Sequence, residues 1–209
     1  MTAPLVWYVA YGSNRSADRL RAYLAGASGP DAPYGAHRGC GDPTPPRADR
    51  WLALDRRVTF RGTSRRWGGG VAFLDLDPTP GTETPARAWL LALDQVADLV
   101  AQEARLATAP HPDALGAIPP GGRFALGGGW YDTVLRLSDV EGRPALTVTT
   151  AQPLPATEPT SAYLSTLAAG LAEQRTDGRG QTPSVGRSGE GDLRSTPPPG
   201  GGARAPRGG

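Results

Sequence analysis

Hydrophobic and polar positions repeat with two different periods along the first 174 residues, and neither period persists for long. Val6–Ala10 is an unbroken apolar run of strand length, which predicts a short buried strand. It stops at Tyr11-Gly12-Ser13-Asn14, and a helical period takes over. Over residues 16–25, Leu20, Tyr23 and Leu24 share one face, Ser16 or Asn14 is placed to cap, and Gly26 marks the stop. Residues 27–47 are rich in Gly and Pro and read as a long loop. "RWLALDRRVTFRG" alternates through Leu52, Leu54, Val58 and Phe60, a strand interrupted at Arg56. "GGGVAFLDLDP" and "ARAWLLALD" predict two further strands. Asp94 is placed to cap a helix to about Ala107, residues 130–137 and 145–152 supply the last strands, and "TSAYLSTLAAGLAEQ" predicts a closing helix.

Several strands with only three helices, and no strict alternation, predict an α+β fold. The expected form is a strongly curved mixed β-sheet or small β-barrel with flanking helices. Residues 1–174 are expected to form one domain. From 175 to 209 the chain is a Gly/Pro/Arg-rich tail with almost no apolar side chains to offset the entropy of ordering, and it is expected to be disordered.

Charge changes this picture little. The formal net charge is +2, and every basic residue is an arginine. Six Arg against three acids from residue 175 on leave the body of the chain near −1, so the basic surplus belongs to the tail rather than to a nucleic-acid-binding face. No apolar run approaches the roughly 20 residues that a membrane span requires. The amino-terminal residues lack a secretory pattern, and a single Cys excludes an internal disulfide. The expectation is a cytoplasmic protein without a membrane or a specific nucleic-acid partner. The oligomeric state is not readable.

Two places carry chemistry. Val96, Leu99, Val100 and Leu106 form an apolar stripe, and Glu103 falls on it, seven residues after Val96 and three after Val100. A carboxylate on the inward side is costly unless paired or neutral, and burial would raise its pKa toward the range useful for proton transfer. The other readings are an ion pair with an arginine or a position at the edge of the stripe. The Tyr11-Gly12-Ser13-Asn14 corner is the second place. Gly12 permits a positive φ, and amides there, followed by a helix start, would favour a carboxylate or an oxyanion. A plain turn with a capping Asn explains the same residues, and Arg15 would either add charge or face water. Trp67-Gly68-Gly69-Gly70 forms either a close-approach wall or a hairpin turn. Tyr163, at the start of the last helix, is a core residue or one whose hydroxyl reaches a site.

Other constellations fail. Tyr-Gly-Ser-Asn is not a nucleophile elbow, and the absence of Lys excludes a P-loop. His37 and His111 have no partners at metal-ligand spacing, so neither a metal nor a cofactor is expected. Cys40 with His37 is a poor thiol pair.

Four blocks, taken in order, resemble the gamma-glutamylcyclotransferase-like superfamily. "WYVAYGSN" resembles its first-strand signature, and "WGGGVAFLDLDP" its following Gly-containing strand. "ARAWLLALDQVADLVAQE" is similar to its strand, leucine-aspartate helix start and inward glutamate, and "PTSAYLSTLAAGLAEQ" to its closing segment. The resemblance spans about residues 6–174. It implies that Tyr11, Gly12, Ser13 and Asn14 form the substrate loop, that Glu103 is the acid/base, and that Tyr163 lines the site. Ala104 stands where the family commonly has Gly after the glutamate. Asp98 is the runner-up acid, directed away from the stripe. The implied activity is cyclisation of a small-molecule gamma-glutamyl amide to 5-oxoproline with release of an amine or amino acid. A non-catalytic binding module on the same fold, or an enzyme with Ser13 as nucleophile, remain the alternatives.

Overall fold

The computed structural model describes residues 3–29, 32, 34–176 and 184–185. The elements run β1 (Leu5–Ala10), a 3-10 turn (Ser13–Arg15), α1 (Ala17–Ala25), β2 (Ala48–Leu54), β3 (Val58–Arg61), β4 (Val71–Leu74) and β5 (Thr84–Ala92). They continue with α2 (Leu93–Glu103), α3 (Pro112–Gly116), β6 (Arg123–Ala125), β7 (Thr133–Val140), β8 (Arg143–Thr149), α4 (Ser161–Thr176) and β9 (Ser184–Val185). The class is α+β, as expected. The main sheet has the order β6-β7-β8-β1-β5-β2-β9, and β3 with β4 forms a separate two-stranded ribbon. The sheet is mixed: β1 pairs parallel to β8 and antiparallel to β5. The barrel alternative does not form, because β6 and β9 stand at opposite ends of the strand order and do not pair.

β1 is continuously apolar because both of its faces are covered. Val6, Tyr8 and Ala10 pack with Leu20, Leu24, Val96 and Leu99 of α1 and α2. Trp7, Val9 and Tyr11 pack on the other side with Leu52, Phe73, Leu135 and Tyr163. Strand alternation along β1 thus sends successive residues into two cores.

The interruption at Arg56 is a change of sheet. β2 stays beside β5, whereas β3 leaves to pair with β4. At that corner the buried Arg56 donates to the Leu76 carbonyl, and Thr84 Oγ1 donates to the Arg56 carbonyl at 2.7 Å. Two short elements, α3 and β6, were not expected, since five and three residues are too few to display a period. The expected domain boundary at residue 174 falls inside α4. Beyond it only Ser184–Val185 is described, pairing parallel to β2. The rest of the expected tail lies outside the described residues.

The 67–70 glycine run is the turn between β3 and β4, and what approaches it closely is backbone rather than ligand. Gly70 N–H donates to the Glu158 carbonyl at 2.9 Å, and a Cβ on Gly70 would sit 2.0 Å from the Thr157 carbonyl oxygen. Gly70→Ala should cost about 3 kcal/mol or more, a Tm drop of roughly 6–12 °C. Gly81→Ala, with open space around it but φ +77°, should cost only about 1–2 kcal/mol. Thermal melts of the two variants check this ordering.

Candidate active site

The corner after β1 is built by three anchors. Tyr11 is buried in the second core, and its hydroxyl donates to the Val148 carbonyl at 2.8 Å. Arg15 does not face water. It is buried and staples the turn, donating to the carbonyls of Gly12 (3.2 Å), Pro85 (3.0 Å) and Leu167 (3.4 Å), and burial draws its pKa down to about 10. It therefore adds no charge toward a ligand. The third anchor is Asn14, whose carbonyl accepts from Trp89 Nε1 at 3.0 Å.

Gly12 corrects an expectation. Its φ is −103° with ψ −145°, so the left-handed conformation that glycine permits is not used. The absent side chain matters for space: a Cβ would point between the Tyr163 hydroxyl (3.7 Å) and Ala72 (3.8 Å). Nor does the helix start face a ligand. Ser16 precedes α1 without a side-chain cap, and Glu173 from α4 accepts from the Ala17 N–H at 3.1 and 3.3 Å while pairing with Arg87 at 2.6 Å. What remains open are the N–H groups of residues 12–14, which donate to no carbonyl or side chain among the described residues.

Glu103 is the last residue of α2, which ends there rather than near Ala107. Asp94 is not the cap: the Ala92 N–H is satisfied by Gln95 Oε1 at 3.0 Å. Val96, Leu99 and Val100 are fully buried, as their spacing implies, whereas Glu103 is half-buried at the helix mouth. Arg105 takes φ +56°, and Leu106 N–H closes back on the Ala101 carbonyl at 2.8 Å, so Leu106 leaves the stripe. Gly129 packs on this end, its N–H 3.2 Å from the Ala104 carbonyl, where a Cβ would stand 2.8 Å from that oxygen.

The two features meet. Asn14 Nδ2 donates to Glu103 Oε1 at 2.6 Å and to the Tyr8 hydroxyl at 3.2 Å, while Asn14 Oδ1 is buried without a partner. A small cavity of about 30 Å³ is lined by residues 8–14, Glu103, Ala72, Tyr131, Val148 and Tyr163. It adjoins an open cleft of about 760 Å³ that shares Ser13, Glu103, Tyr131 and Tyr163 and adds Arg19, Tyr23, Trp67 and Trp130. All six residues singled out from the sequence therefore border one place. Tyr163 is buried, with its ring against Trp67 (5.2 Å) and its hydroxyl accepting from the Ala72 N–H at 3.1 Å.

Sequence reasoning missed Tyr8, Tyr23, Tyr131 and Arg19. Tyr8 and Tyr23 read as core from their periods; their hydroxyls give the site its polarity. Burial, and next the negative charge of Glu103, pushes the ionisation of both well above the usual phenol range. Burial also raises Tyr11 and Tyr163.

The remaining candidates are occupied elsewhere. Ser13 Oγ accepts from Arg19 Nε at 2.8 Å and has no histidine or carboxylate hydrogen-bonded to it, an unpromising arrangement for a nucleophile. Asp98 Oδ2 accepts from the Gly41 N–H at 2.8 Å. Cys40 is pushed up to about 12 by burial and then by Asp98. His111 caps α3 by accepting from the Asp113 N–H at 3.3 Å. Among the described residues no group of three or more His, Cys, Asp or Glu side chains is gathered as metal ligands, and no helix is long and apolar enough to cross a membrane.

No family model and no curated protein matches the chain. Two solved structures are similar to it. One, a gamma-glutamyl cyclotransferase, is 15% identical with a TM-score of 0.49, covering 91% of this chain and 95% of that one. The other, an uncharacterized protein from Homo sapiens, is 17% identical with a TM-score of 0.48, covering 89% and 94%.

The cleft also holds His37, whose ring lies 4.1 Å from that of Tyr23 and whose Nε2 is enclosed without a partner. Burial, followed by the charge of Arg19, holds its pKa below the ordinary value of 6.5. The unfolded chain therefore takes up a proton at this histidine before the folded one does, and its contribution to stability is full above pH 6.5 and fades as pH falls through it. The urea midpoint should be lower at pH 5.5 than at pH 7.5, and His37→Asn should narrow that difference. An unchanged difference in the variant would contradict the assignment.

Proposed function

We propose that this protein cyclises gamma-glutamyl amides, releasing 5-oxoproline and a free amine or amino acid, with Glu103 as the general acid/base. The observation that carries the reading is the placement of the Glu103 carboxylate, through Asn14 at 2.6 Å, on the cavity that the unbonded amides of residues 12–14 also border.

In this reaction the substrate's α-amine attacks its own γ-carbonyl carbon. A new C–N bond closes a five-membered ring, the carbonyl electron pair moves to oxygen and returns, and the original amide C–N bond breaks. The nucleophile is tethered, so the main requirement is to hold a bent conformer. Glu103 takes a proton from the substrate ammonium and delivers it to the departing nitrogen. The amides of residues 12–14 stabilise the oxyanion, and the unpartnered Asn14 Oδ1 accepts from the ammonium. Every step moves a proton or a carbonyl electron pair, so amides and side chains suffice. We also propose a cytoplasmic location, in keeping with a single free cysteine.

Purified protein incubated with a panel of gamma-glutamyl amides should yield 5-oxoproline by mass spectrometry. Glu103→Gln should lower kcat by about 10²–10⁴-fold while the circular dichroism stays native. Binding without product in the wild type would point instead to a binding module, and full turnover by the variant would remove Glu103 from its role. Gly12→Ala, which adds a methyl no closer than 3.7 Å to its neighbours, should leave Tm within about 3 °C. Because the methyl narrows the small cavity, the same variant should reduce kcat/KM by about 10²-fold, read from the same assay and a thermal melt.

A further inference from the structure

Arg19 stands apart from the other buried arginines. Arg87 is paired with Asp49 and Glu173, Arg136 with Asp139, and Arg56 with Asp55. Arg15 is spent on three carbonyls. Arg19 is 6% exposed, and among the described residues no carboxylate forms an ion pair with it. Nε donates to Ser13 Oγ at 2.8 Å, and Nη2 reaches the Tyr23 hydroxyl at 3.5 Å. Nη1 is enclosed with no hydrogen-bond partner. An unneutralised cation and an unmade hydrogen bond are both costly when withdrawn from water.

The surroundings sharpen the imbalance. The large cleft is lined by Arg19, Arg38, Arg65, Arg66 and Arg105, and among the described lining residues Glu103 is the one acid. Glu103 is hydrogen-bonded to Asn14 and not to Arg19. This positive lining does not follow from composition, because the body of the chain is near −1. Arg66 stacks on Trp67 at 5.3 Å and faces the same charge: burial, then Arg19, lowers its pKa. Arg19 lines the large cleft and not the small cavity beside the amides.

Resting on the cyclisation reading, we propose that Arg19, assisted by Arg66, recognises an anionic group on the leaving half of the substrate. The protein then prefers gamma-glutamyl amides whose amine carries a carboxylate over those of neutral or cationic amines. A carboxylate entering the cleft accepts from the guanidinium and neutralises a charge that, among the described residues, is met only by the ring faces of Tyr23 at 5.5 Å and Tyr34 at 5.4 Å and by no carboxylate. Such an interaction discriminates strongly, because the analogue without the anion leaves the buried cation unmatched.

The test is a matched pair: gamma-glutamyl-phenylalanine and gamma-glutamyl-phenethylamide, which differ only by one carboxylate. Wild-type kcat/KM should favour the carboxylate member by about 10–100-fold. Arg19→Gln should narrow that ratio to near one, with Arg19→Lys intermediate, and Arg66→Gln should narrow it partly. The ratio rather than the absolute rate is the readout, and Arg66 on its exposed loop serves if the Arg19 variants do not fold. A wild-type ratio near one, or a large ratio untouched by the variants, overturns the assignment. If neither compound yields 5-oxoproline, the cyclisation reading fails, and the anion site is then read from calorimetry on Glu103→Gln. Tighter binding of the carboxylate member, lost when Arg19 is also changed, supports it; equal binding of both overturns it.

Discussion

The hydrogen bond from Asn14 to Glu103 is the constraint around which the site is organised. It joins residues 89 positions apart: the corner that ends the first strand and the last residue of the second helix. A hydrogen bond to a carboxylate contributes about 1.5–3 kcal/mol, and a half-buried setting strengthens it. Asn14 is also tied to the sheet, its Nδ2 donating to the Tyr8 hydroxyl and its carbonyl accepting from Trp89. The carboxylate is consequently located by the main sheet as well as by its own helix, whose end is further pinned by Gly129.

That arrangement demands a corner that is rigid yet keeps its amides free. The structure meets both demands by using side chains as fasteners. Arg15 holds the carbonyls, Tyr11 sinks into the second core, and Glu173 occupies the start of α1. None of these groups takes the N–H bonds of residues 12–14. Rigidity comes from behind the loop, and the front stays open.

Much of this was legible in the chain, and for definite reasons. The strand at Val6–Ala10 and the stripe of Val96, Leu99 and Val100 carry periods long enough to read, and together they bring Asn14 and Glu103 near one another. What could not be read is set by partners distant in sequence. Nothing local says that Glu173 will take the place of a helix cap, or that Arg15 will turn inward. Gly12 stands where the sequence places it but does not use the left-handed conformation, and a Cβ there would meet the Tyr163 hydroxyl and Ala72 at ordinary contact distance. Arg56 broke a strand pattern visibly, but the break is a passage between two sheets, which alternation alone cannot express. Tyr8 and Tyr23 were hidden because an aromatic ring satisfies an apolar period whether or not its hydroxyl faces a cavity.

Those phenols have a consequence for how the site senses charge. Tyr8, Tyr11, Tyr23 and Tyr163 are all held from ionising, first by burial. Walls of this kind lend protons for hydrogen bonding but contribute no formal charge of their own, even in alkaline solution. Among the described lining residues, formal charge is therefore left to Glu103 and the guanidinium groups of the cleft. A visiting molecule meets formal charge only from ionic side chains, with the phenols acting as neutral hydrogen-bonding walls.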